Sequence, residues 1–487
     1  MSDLPKQAGI LSATEFFRLA IKSIIGIALA RIITPAELGS YRQLFLIYTT
    51  FSTLLLLGIP QSMLYFLPKA ENAEKQRLLI TRSLNLISIL ALIFALCLLI
   101  FRNFIAQIFH NPQLGNLLII YALYPLFLFV TQLYSSIMMG LKQPLRAAKF
   151  TIFSVLSDFI FIVSAAFFTR NLTIIIWAVI ASAFLQWLYA QITLNEFKEK
   201  KVRFDFASVK EQMNYALPLG LSSIIGMLSI QLDKLMISGF FPPEKFAVFS
   251  LGATEFPIVG ILANSINSVL LPHLSSTNTA TMGELYSGAV RKNAILVFPL
   301  MALCFIFAES IFILLYGKIY AEAAVYFRIY LFLMPLRIAT YGILFQAFGK
   351  TKFIMYNSLF VLIANAVLNY ILIINLGMKG AAIATVIVTW LSVMIYLIQI
   401  AKVLKLKLLD FFPIGKITKN ALVTIISLFL SFLIIWLGKQ NLLFVAIGGI
   451  VFILSYLLLG RKTGVILDYD VQLAKELIND LKGKFKK

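Results

Sequence analysis

The sequence predicts an all-α, polytopic membrane protein with fourteen transmembrane helices, and three observations lead to this fold class. First, 60% of the 487 residues are hydrophobic and only 13% are charged, whereas a soluble domain carries about 25% charged residues. Second, apolar runs long enough to cross about 30 Å of hydrocarbon recur along the whole chain. Third, lysine and arginine residues collect in alternate loops between these runs, which is typical of multi-pass membrane proteins.

The apolar runs form two groups of six, followed by a final pair. The predicted helices cover residues 11–33, 42–67, 80–101, 115–140, 147–168 and 172–194, then 212–240, 246–272, 289–315, 325–348, 353–376 and 380–403, and lastly 420–437 and 441–459. Polar, basic stretches separate the three groups, so the breaks between groups are stronger than the breaks within them.

The loop charges predict the orientation of the chain. With the N-terminus in the cytoplasm, the cytoplasmic loops hold clusters such as that from Lys198 to Lys210, and the opposite loops hold mostly single charges such as Arg102 and Lys318. The positive-inside rule therefore places both termini in the cytoplasm. Topology and contact with anionic membrane lipids explain the formal net charge of +21, and no nucleic-acid partner is expected.

An internal repeat at an offset near 207 residues predicts two lobes. The run from Ala95 to Cys97 matches that from Ala302 to Cys304, and Gly140 matches Gly349, in the same order along the chain. Six helices is an even number, so the second lobe enters the membrane in the same sense as the first, and the two lobes are parallel. The predicted domains are an N-terminal lobe, 1–194; a cytoplasmic linker, 195–211; a C-terminal lobe, 212–403; and helices 13 and 14 with a basic cytoplasmic tail, 404–487.

Charged residues inside the predicted helices are the candidate functional groups, because an ionisable side chain in hydrocarbon is costly and faces a cavity or a partner. Arg18 and Lys22 are four residues apart and share one face of the first helix. Lys22 lies thirteen residues before Pro35, about 20 Å along the helix and well inside the bilayer. For Arg18, an alternative role is snorkelling to the interface or pairing with Glu15.

The predicted substrate-binding site is a cationic cavity suited to phosphate oxygens. Its residues are Arg18, Lys22, Arg42, Lys234 and Arg337. The intramembrane acids have two alternative roles, which are charge pairing with these cations and coupling of transport to H⁺ or Na⁺. These acids are Glu15, Asp158, Asp233 and Glu255.

No motif for covalent or metal chemistry is present in the sequence. There is no glycine-rich phosphate-binding loop of the Walker type, and Cys97 and Cys304 lie in apolar runs where neither a disulfide nor a metal site is expected. His110 and His273 stand alone at loop ends. We therefore expect no enzyme activity, no metal and no organic cofactor.

Three motifs support a family resemblance. The run from Ala30 to Tyr41 follows the first helix, Gly58-Ile59-Pro60 comes later, and Asp233-Lys234 lies in the seventh helix. With the plan of six, six and two helices, they resemble the Wzx-type polysaccharide flippases of the multidrug, oligosaccharidyl-lipid and polysaccharide (MOP) exporter superfamily. The resemblance extends over essentially the whole chain.

The resemblance implies alternating access between two lobes, around a cationic cavity that accepts an undecaprenyl-pyrophosphate-linked oligosaccharide. Arg18, Lys22 and Lys234 match such a cavity best. The implied role is in O-antigen, lipopolysaccharide, capsule or exopolysaccharide biosynthesis, with membrane lipids around the protein and with polysaccharide polymerases and glycosyltransferases as candidate partners.

Two transport functions remain as alternatives. A lipid II-type flippase shares the plan and the cationic first helix, but its pattern matches less well. A multidrug or cation antiporter of the same superfamily typically has twelve spans and an acidic or aromatic cavity. A membrane-bound polymerase or ligase would need a large external loop, and the sequence has none.

Overall fold

The computed structural model of the protein describes residues 3–199, 206–254, 279–347, 350, 352–405, 407–438, 441–470 and 472. In this part of the chain the regular structure is helical throughout. The α-helices are α1 (Asp3–Ile32), α2 (Pro35–Leu55), α3 (Ile59–Lys69), α4 (Ala73–Ile108), α5 (Pro112–Tyr121), α6 (Leu123–Gly140), α7 (Pro144–Thr169), α8 (Leu172–Leu194), α9 (Phe206–Phe240), α10 (Pro243–Gly252), α11 (Thr279–Tyr316), α12 (Ala323–Leu331), α13 (Gly342–Ala347), α14 (Lys352–Leu376), α15 (Met378–Leu404), α16 (Leu408–Phe411), α17 (Ile414–Leu437) and α18 (Leu442–Lys462).

The lengths and composition of these helices make the protein a multi-pass membrane protein. Within the described residues, ten helices are long and apolar enough to cross a membrane, and the number rises to twelve if two bent pairs count as one span each. The bent pairs are α2 with α3, at 45°, and α12 with the segment Met334–Phe345, at 40°. Fourteen spans stay a prediction, because α1 carries several charges and most of the predicted helix 246–272 lies outside the described residues.

The start of α2 explains several residues of the motif from Ala30 to Tyr41. Thr34 caps the helix: its hydroxyl accepts a hydrogen bond from the backbone N–H of Glu37, and the Glu37 carboxylate accepts one from the backbone N–H of Thr34 at 3.0 Å. Pro35 occupies the first turn, where a missing N–H costs nothing. A side chain at Gly39 would place Cβ 2.0 Å from the carbonyl oxygen of Pro243, so glycine allows α10 to approach α2 closely.

The break between α2 and α3 is a second close helix contact. Leu57 and Gly58 both have positive φ, at 49° and 75°, which reverses the local twist and ends α2. A Cβ at Gly58 would lie 2.3 Å from the carbonyl oxygen of Ala216, and one at Gly220 would lie 2.6 Å from the carbonyl carbon of Leu57. α9 therefore packs directly against the break through small residues.

The chain divides into two compact units. Unit 1 contains Met1–Leu251, Leu315–Gly317 and Leu362–Ala381, and unit 2 contains Gly252–Leu314, Lys318–Val361 and Ala382–Lys487. Within unit 1, α1 packs along α7, α7 along α8, and α6 against α3, α4 and α8. The predicted domain boundaries stay predictions, although α9 already begins at Phe206, inside the predicted linker.

Unit 2 has a core built by the last two helices. Ala302 and Ile306 of α11 pack with Val423 of α17 and with Phe452 and Tyr456 of α18. α17 and α18 pack closely at Gly448, where a Cβ atom would lie only 2.7 Å from Cγ1 of Ile435. Their outer faces remain apolar and exposed, as expected of a surface that contacts lipid.

Candidate functional site

Four charged residues form a cluster where α1 packs along α7, which we call the α1–α7 cluster: Glu15, Arg18, Lys22 and Asp158. Nε and Nη2 of Arg18 both donate to Oε2 of Glu15, at 2.8 and 2.5 Å. The two side chains are 36% and 53% exposed, so this ion pair is accessible. The geometry is that of the pairing with Glu15 predicted as an alternative for Arg18.

Lys22 lies one turn further along α1 and is also accessible. It interacts electrostatically with Asp158 of α7 and, within α1, with Arg18 and Glu15. The cluster therefore contains two cations and two carboxylates, and its formal charge is zero. Such mutual neutralisation lowers the cost of placing ionisable groups within membrane-spanning helices.

Asp158 is held in place by buried side chains of α8. Its Oδ1 accepts hydrogen bonds from Oγ of Ser182 at 2.7 Å and from Nε2 of Gln186 at 2.8 Å. Gln186 also donates to Ser182 at 3.0 Å, and the hydroxyls of Ser157 and Ser182 are 2.8 Å apart. These donors stabilise the ionised carboxylate and orient it. Nothing in the sequence indicated that Ser182 and Gln186 are the partners of Asp158.

Tyrosines line the neighbourhood of Asp158. Tyr41 of α2 and Tyr124 of α6 both lie within electrostatic range of its carboxylate. Tyr124 also contacts the rings of Tyr48 and Tyr121, with centroids 4.8 and 4.9 Å apart. Sequence reasoning did not single out these residues, and the available signal was the local density of tyrosine in α2 and α5–α6.

Arg42 and Lys234 are positioned by contacts outside the α1–α7 cluster. The predicted span 42–67 begins at Arg42, but α2 already begins at Pro35. Arg42 therefore lies about two turns inside the helix. Its Nη1 donates to the hydroxyl of Ser250 at 3.1 Å, which ties α2 to α10. Lys234 of α9 is half-buried and follows Asp233, which is 2% exposed and accepts a hydrogen bond from the Lys234 backbone N–H at 2.6 Å.

The remaining predicted site residues are not brought into the cluster. Arg337 belongs to unit 2, where it is exposed in the 3₁₀ helix Met334–Ile338 and lies within electrostatic range of Tyr341. Glu255 lies outside the described residues. Within the described part of the chain, no three His, Cys, Asp or Glu side chains are grouped to hold a metal ion.

A second polar feature of unit 1 is a pocket of 580 Å³ lined by α3, α4 and α9, which we call the α3–α4 pocket. Its cations are Lys69 at the end of α3 and Lys75 and Arg82 in α4. Nζ of Lys69 lies 3.7 Å from the centre of the Tyr65 ring, which stacks on Tyr215 at 4.3 Å. The pocket therefore combines positive charge with aromatic faces.

The wall of the α3–α4 pocket is organised by Gln212 of α9. This buried amide donates to the hydroxyls of Ser62 and Ser83, both at 2.9 Å. At the rim, Lys75 donates to the carboxylate of Glu71 at 2.6 Å, and this contact lowers the pKa of Glu71. The hydrogen bonds of Gln212 therefore join α9 to α3 and α4 at the pocket wall, while Lys75 and Glu71 are exposed.

The comparisons with known proteins identify the family. A family model described as "Polysaccharide biosynthesis protein" matches residues 28–325, which is more than half of the chain. The chain belongs to this family. Among its relatives, the capsular polysaccharide biosynthesis protein CapF of Staphylococcus aureus is 24% identical over 80% of this chain and 96% of its own length. An uncharacterized membrane protein of Methanocaldococcus jannaschii is 23% identical over 76% of this chain and 78% of its own length.

Solved structures share the fold of this family member. The lipid II flippase MurJ in an inward closed conformation superposes with a TM-score of 0.75 at 17% identity, covering 92% of this chain and 97% of that one. An outward-facing MATE transporter of the MOP superfamily superposes with a TM-score of 0.55 at 16% identity, covering 82% and 96%. The predicted resemblance to a polysaccharide biosynthesis family is confirmed by the family match, and the solved structures agree with it in fold.

Proposed function

We propose that this protein is a flippase for an undecaprenyl-pyrophosphate-linked oligosaccharide, acting by alternating access in a bacterial inner membrane. The transported unit would serve O-antigen, capsule or exopolysaccharide biosynthesis. The polysaccharide biosynthesis family, the MOP-type fold and the many apolar helices support the proposal. The plan of fourteen helices in two six-helix lobes plus a pair, with both termini cytoplasmic, belongs to it. Transport of this kind breaks no covalent bond, so the proposal requires no enzyme activity.

The observation that carries the proposal is the balanced charge of the α1–α7 cluster. Glu15 pairs with Arg18, and Asp158 lies within electrostatic range of Lys22. A pyrophosphate offers anionic oxygens that bind guanidinium and ammonium groups as well as a carboxylate does. In our proposal the two carboxylates stabilise the charged form of Arg18 and Lys22. The pyrophosphate of the substrate then takes the place of these carboxylates.

Ion coupling fits the same exchange. Asp158 is the acid of the cluster whose orientation is set by buried donors, Ser182 and Gln186. Binding of H⁺ or Na⁺ to this carboxylate would weaken its hold on Lys22 and make the lysine available to phosphate. Release of the ion would restore the pair and favour release of the substrate.

The α3–α4 pocket supplies a second surface for the substrate headgroup. Cations bind phosphate, and the Tyr65 ring holds the ammonium group of Lys69 at the pocket. With cytoplasmic termini, α3 ends on the cytoplasmic side, where a lipid-linked sugar would be collected. We propose that the headgroup contacts this pocket before it reaches the α1–α7 cluster.

Export of surface polysaccharide by the native host tests the role of the cations. Lys22→Ala and Lys234→Ala are expected to reduce export at least about tenfold at normal protein level, because a hydrogen bond to a charged group is worth about 1.5–3 kcal/mol. Lys149→Ala is the control: it removes an exposed positive charge from the start of α7 and should export normally. Normal polysaccharide display in both test variants would contradict the phosphate-binding role.

Proteoliposomes separate the transport classes. Vesicles of the purified full chain are offered a fluorescent undecaprenyl-pyrophosphate oligosaccharide, lipid II or an organic cation, and inner-leaflet appearance is measured with a membrane-impermeant quencher or, for the cation, by uptake. Movement of the oligosaccharide probe supports the proposal. Movement of lipid II alone would replace the substrate with lipid II, and uptake of the cation alone would assign the chain to the antiporters.

A further inference from the structure

A second basic pocket lies in unit 2, at the end of the molecule where α17 begins and α18 ends. It has a volume of 300 Å³, and its polar lining side chains are Arg291 of α11 with Lys416, Lys419 and Asn420 of α17. The backbone after α18, at residues 464–467, closes one side. We call it the α17–α18 pocket. Neither the internal repeat nor the proposed transport path accounts for it.

The pocket carries unbalanced positive charge. Asp470 neutralises Arg291 through two hydrogen bonds of 2.8 Å, one from each terminal nitrogen of the guanidinium group. Lys416 and Lys419 are exposed, lie about one turn apart on α17 and form no ion pair with a described residue. The pocket therefore has a surplus of two positive charges, which favours an anionic ligand.

Asn420 is the observation that distinguishes this pocket from a row of surface lysines. Its side chain is 1% exposed, and its Oδ1 accepts a hydrogen bond from the hydroxyl of Tyr456 at 2.9 Å. Its Nδ2 is buried and has no hydrogen-bond partner, and the residue lines the pocket. Because buried donors in proteins are almost always satisfied, an unpartnered amide beside two lysines indicates a missing acceptor.

The surface next to the pocket identifies the source of that acceptor. Leu422, Ile425 and Phe429 continue from Lys419 at helical spacing, and each is more than half exposed. A lipid whose phosphate lies against Lys416 and Lys419 can therefore lay its acyl chains along an apolar strip of the same helix. A soluble phosphate would gain nothing from this strip.

We propose that the α17–α18 pocket binds the phosphate of an anionic membrane phospholipid. Lys416 and Lys419 pair with the phosphate, Nδ2 of Asn420 donates to one of its oxygens, and the acyl chains cover the apolar strip. The bound lipid joins α17 to α11 and to the segment after α18, so it stabilises the final helix pair. This role does not depend on the substrate of the transporter.

Thermal unfolding of the purified full chain in detergent tests the lysines. Phosphatidylglycerol is expected to raise the melting temperature of the wild type, and phosphatidylcholine is not. Lys416→Gln with Lys419→Gln should remove at least half of the rise. The matched control is Lys402→Gln with Lys405→Gln, which removes two exposed charges from the same basic stretch but outside the pocket. An equal rise in both double variants would overturn the proposal.

Asn420→Asp tests the contact made by the amide, and this test is independent of the lysine variants. The aspartate keeps an oxygen to accept from Tyr456 and replaces the orphaned donor with a second oxygen. In the absence of lipid this variant should melt at or above the wild-type temperature, because a carboxylate beside two lysines is favourable. Its rise with phosphatidylglycerol should be lost. A rise equal to that of the wild type would contradict the proposed contact.

Inorganic phosphate without lipid distinguishes the source of the ligand. It should raise the wild-type melting temperature far less than phosphatidylglycerol does, because it cannot use the apolar strip. If phosphate alone matches the lipid, the pocket is a site for soluble phosphate and the lipid proposal is wrong.

Discussion

The α1–α7 cluster and the α17–α18 pocket use the same residue types with opposite charge balance. In the cluster, Glu15 pairs with Arg18 and Asp158 lies within electrostatic range of Lys22, so the formal charges balance. At the pocket, Asp470 pairs with the lining residue Arg291, and Lys416 and Lys419 form no ion pair with a described residue. The physical difference is position along the helix. Cations deep in a spanning helix need partners from the protein itself, whereas cations at a helix end can take theirs from lipid headgroups.

The largest expected effect comes from breaking the charge balance of the cluster. Asp158→Ala leaves Lys22 without its partner on α7 and should abolish export and lower stability. Lys22→Ala combined with Asp158→Ala should recover stability but not export. The coupling free energy of the two substitutions is expected at about 0.5–3 kcal/mol, measured by denaturation of the four proteins.

A second pair of substitutions is the control for the double-mutant cycle of Lys22 and Asp158. Lys149→Ala with Asp158→Ala removes the same formal charges from one helix, and Lys149 is exposed near the start of α7. This pair should show additive free energies. If the Lys22 pair is equally additive, the electrostatic contact across α1 and α7 does not stabilise the protein.

An intermediate effect is expected at Arg18, where the charge can be kept or reversed. Arg18→Lys keeps a cation within reach of Glu15 but loses one of the two donors, so export should fall no more than about threefold, which corresponds to less than about 1 kcal/mol. Arg18→Glu places two carboxylates about one turn apart and should reduce export at least about tenfold. Equal export by the two variants would mean that the charge at this position is structural.

The smallest expected effect is the loss of the ion pair between Asp470 and Arg291 of the α17–α18 pocket. Hydrogen bonds from Arg291, aided by the backbone N–H of Leu467, lower the pKa of Asp470 below its ordinary value of 3.8. A lowered native pKa means that the contact stabilises the protein above about pH 3.8 and is lost as the pH falls through the lower, native value. The contribution should be on the order of 1 kcal/mol.

Proteolysis of the segment after α18 measures this contact. In the wild type, protection should be constant above the ordinary pKa of the carboxyl group and should decrease only on further acidification. Asp470→Asn should show the reduced protection at every pH. Acid-labile protection that persists in Asp470→Asn would assign the pH dependence to another group.

Much of the candidate site was predictable, because buried charge is conspicuous in an apolar sequence. Glu15, Arg18, Lys22 and Asp158 all stood out in this way, and the pairing of Arg18 with Glu15 follows from their spacing on one helix. The partners of Asp158 were not predictable, since Ser182 and Gln186 lie on another helix and resemble ordinary polar residues of a membrane span. Lys69, Lys75 and Arg82 were not singled out as candidate site residues, because positive charge near a loop indicates topology in any membrane protein.

The sequence by itself determined the membrane class, most helices and the family, because hydrophobic length, loop charge and helix-start motifs are local properties of the chain. Tertiary structure decided which charges neutralise one another and which remain for a ligand. Lys22 and Asp158 are far apart in sequence, and only the packing of α1 on α7 brings them into electrostatic range. The orphaned amide of Asn420 likewise emerges only when α17 and α18 bury it, since the same residue in water would be fully hydrated.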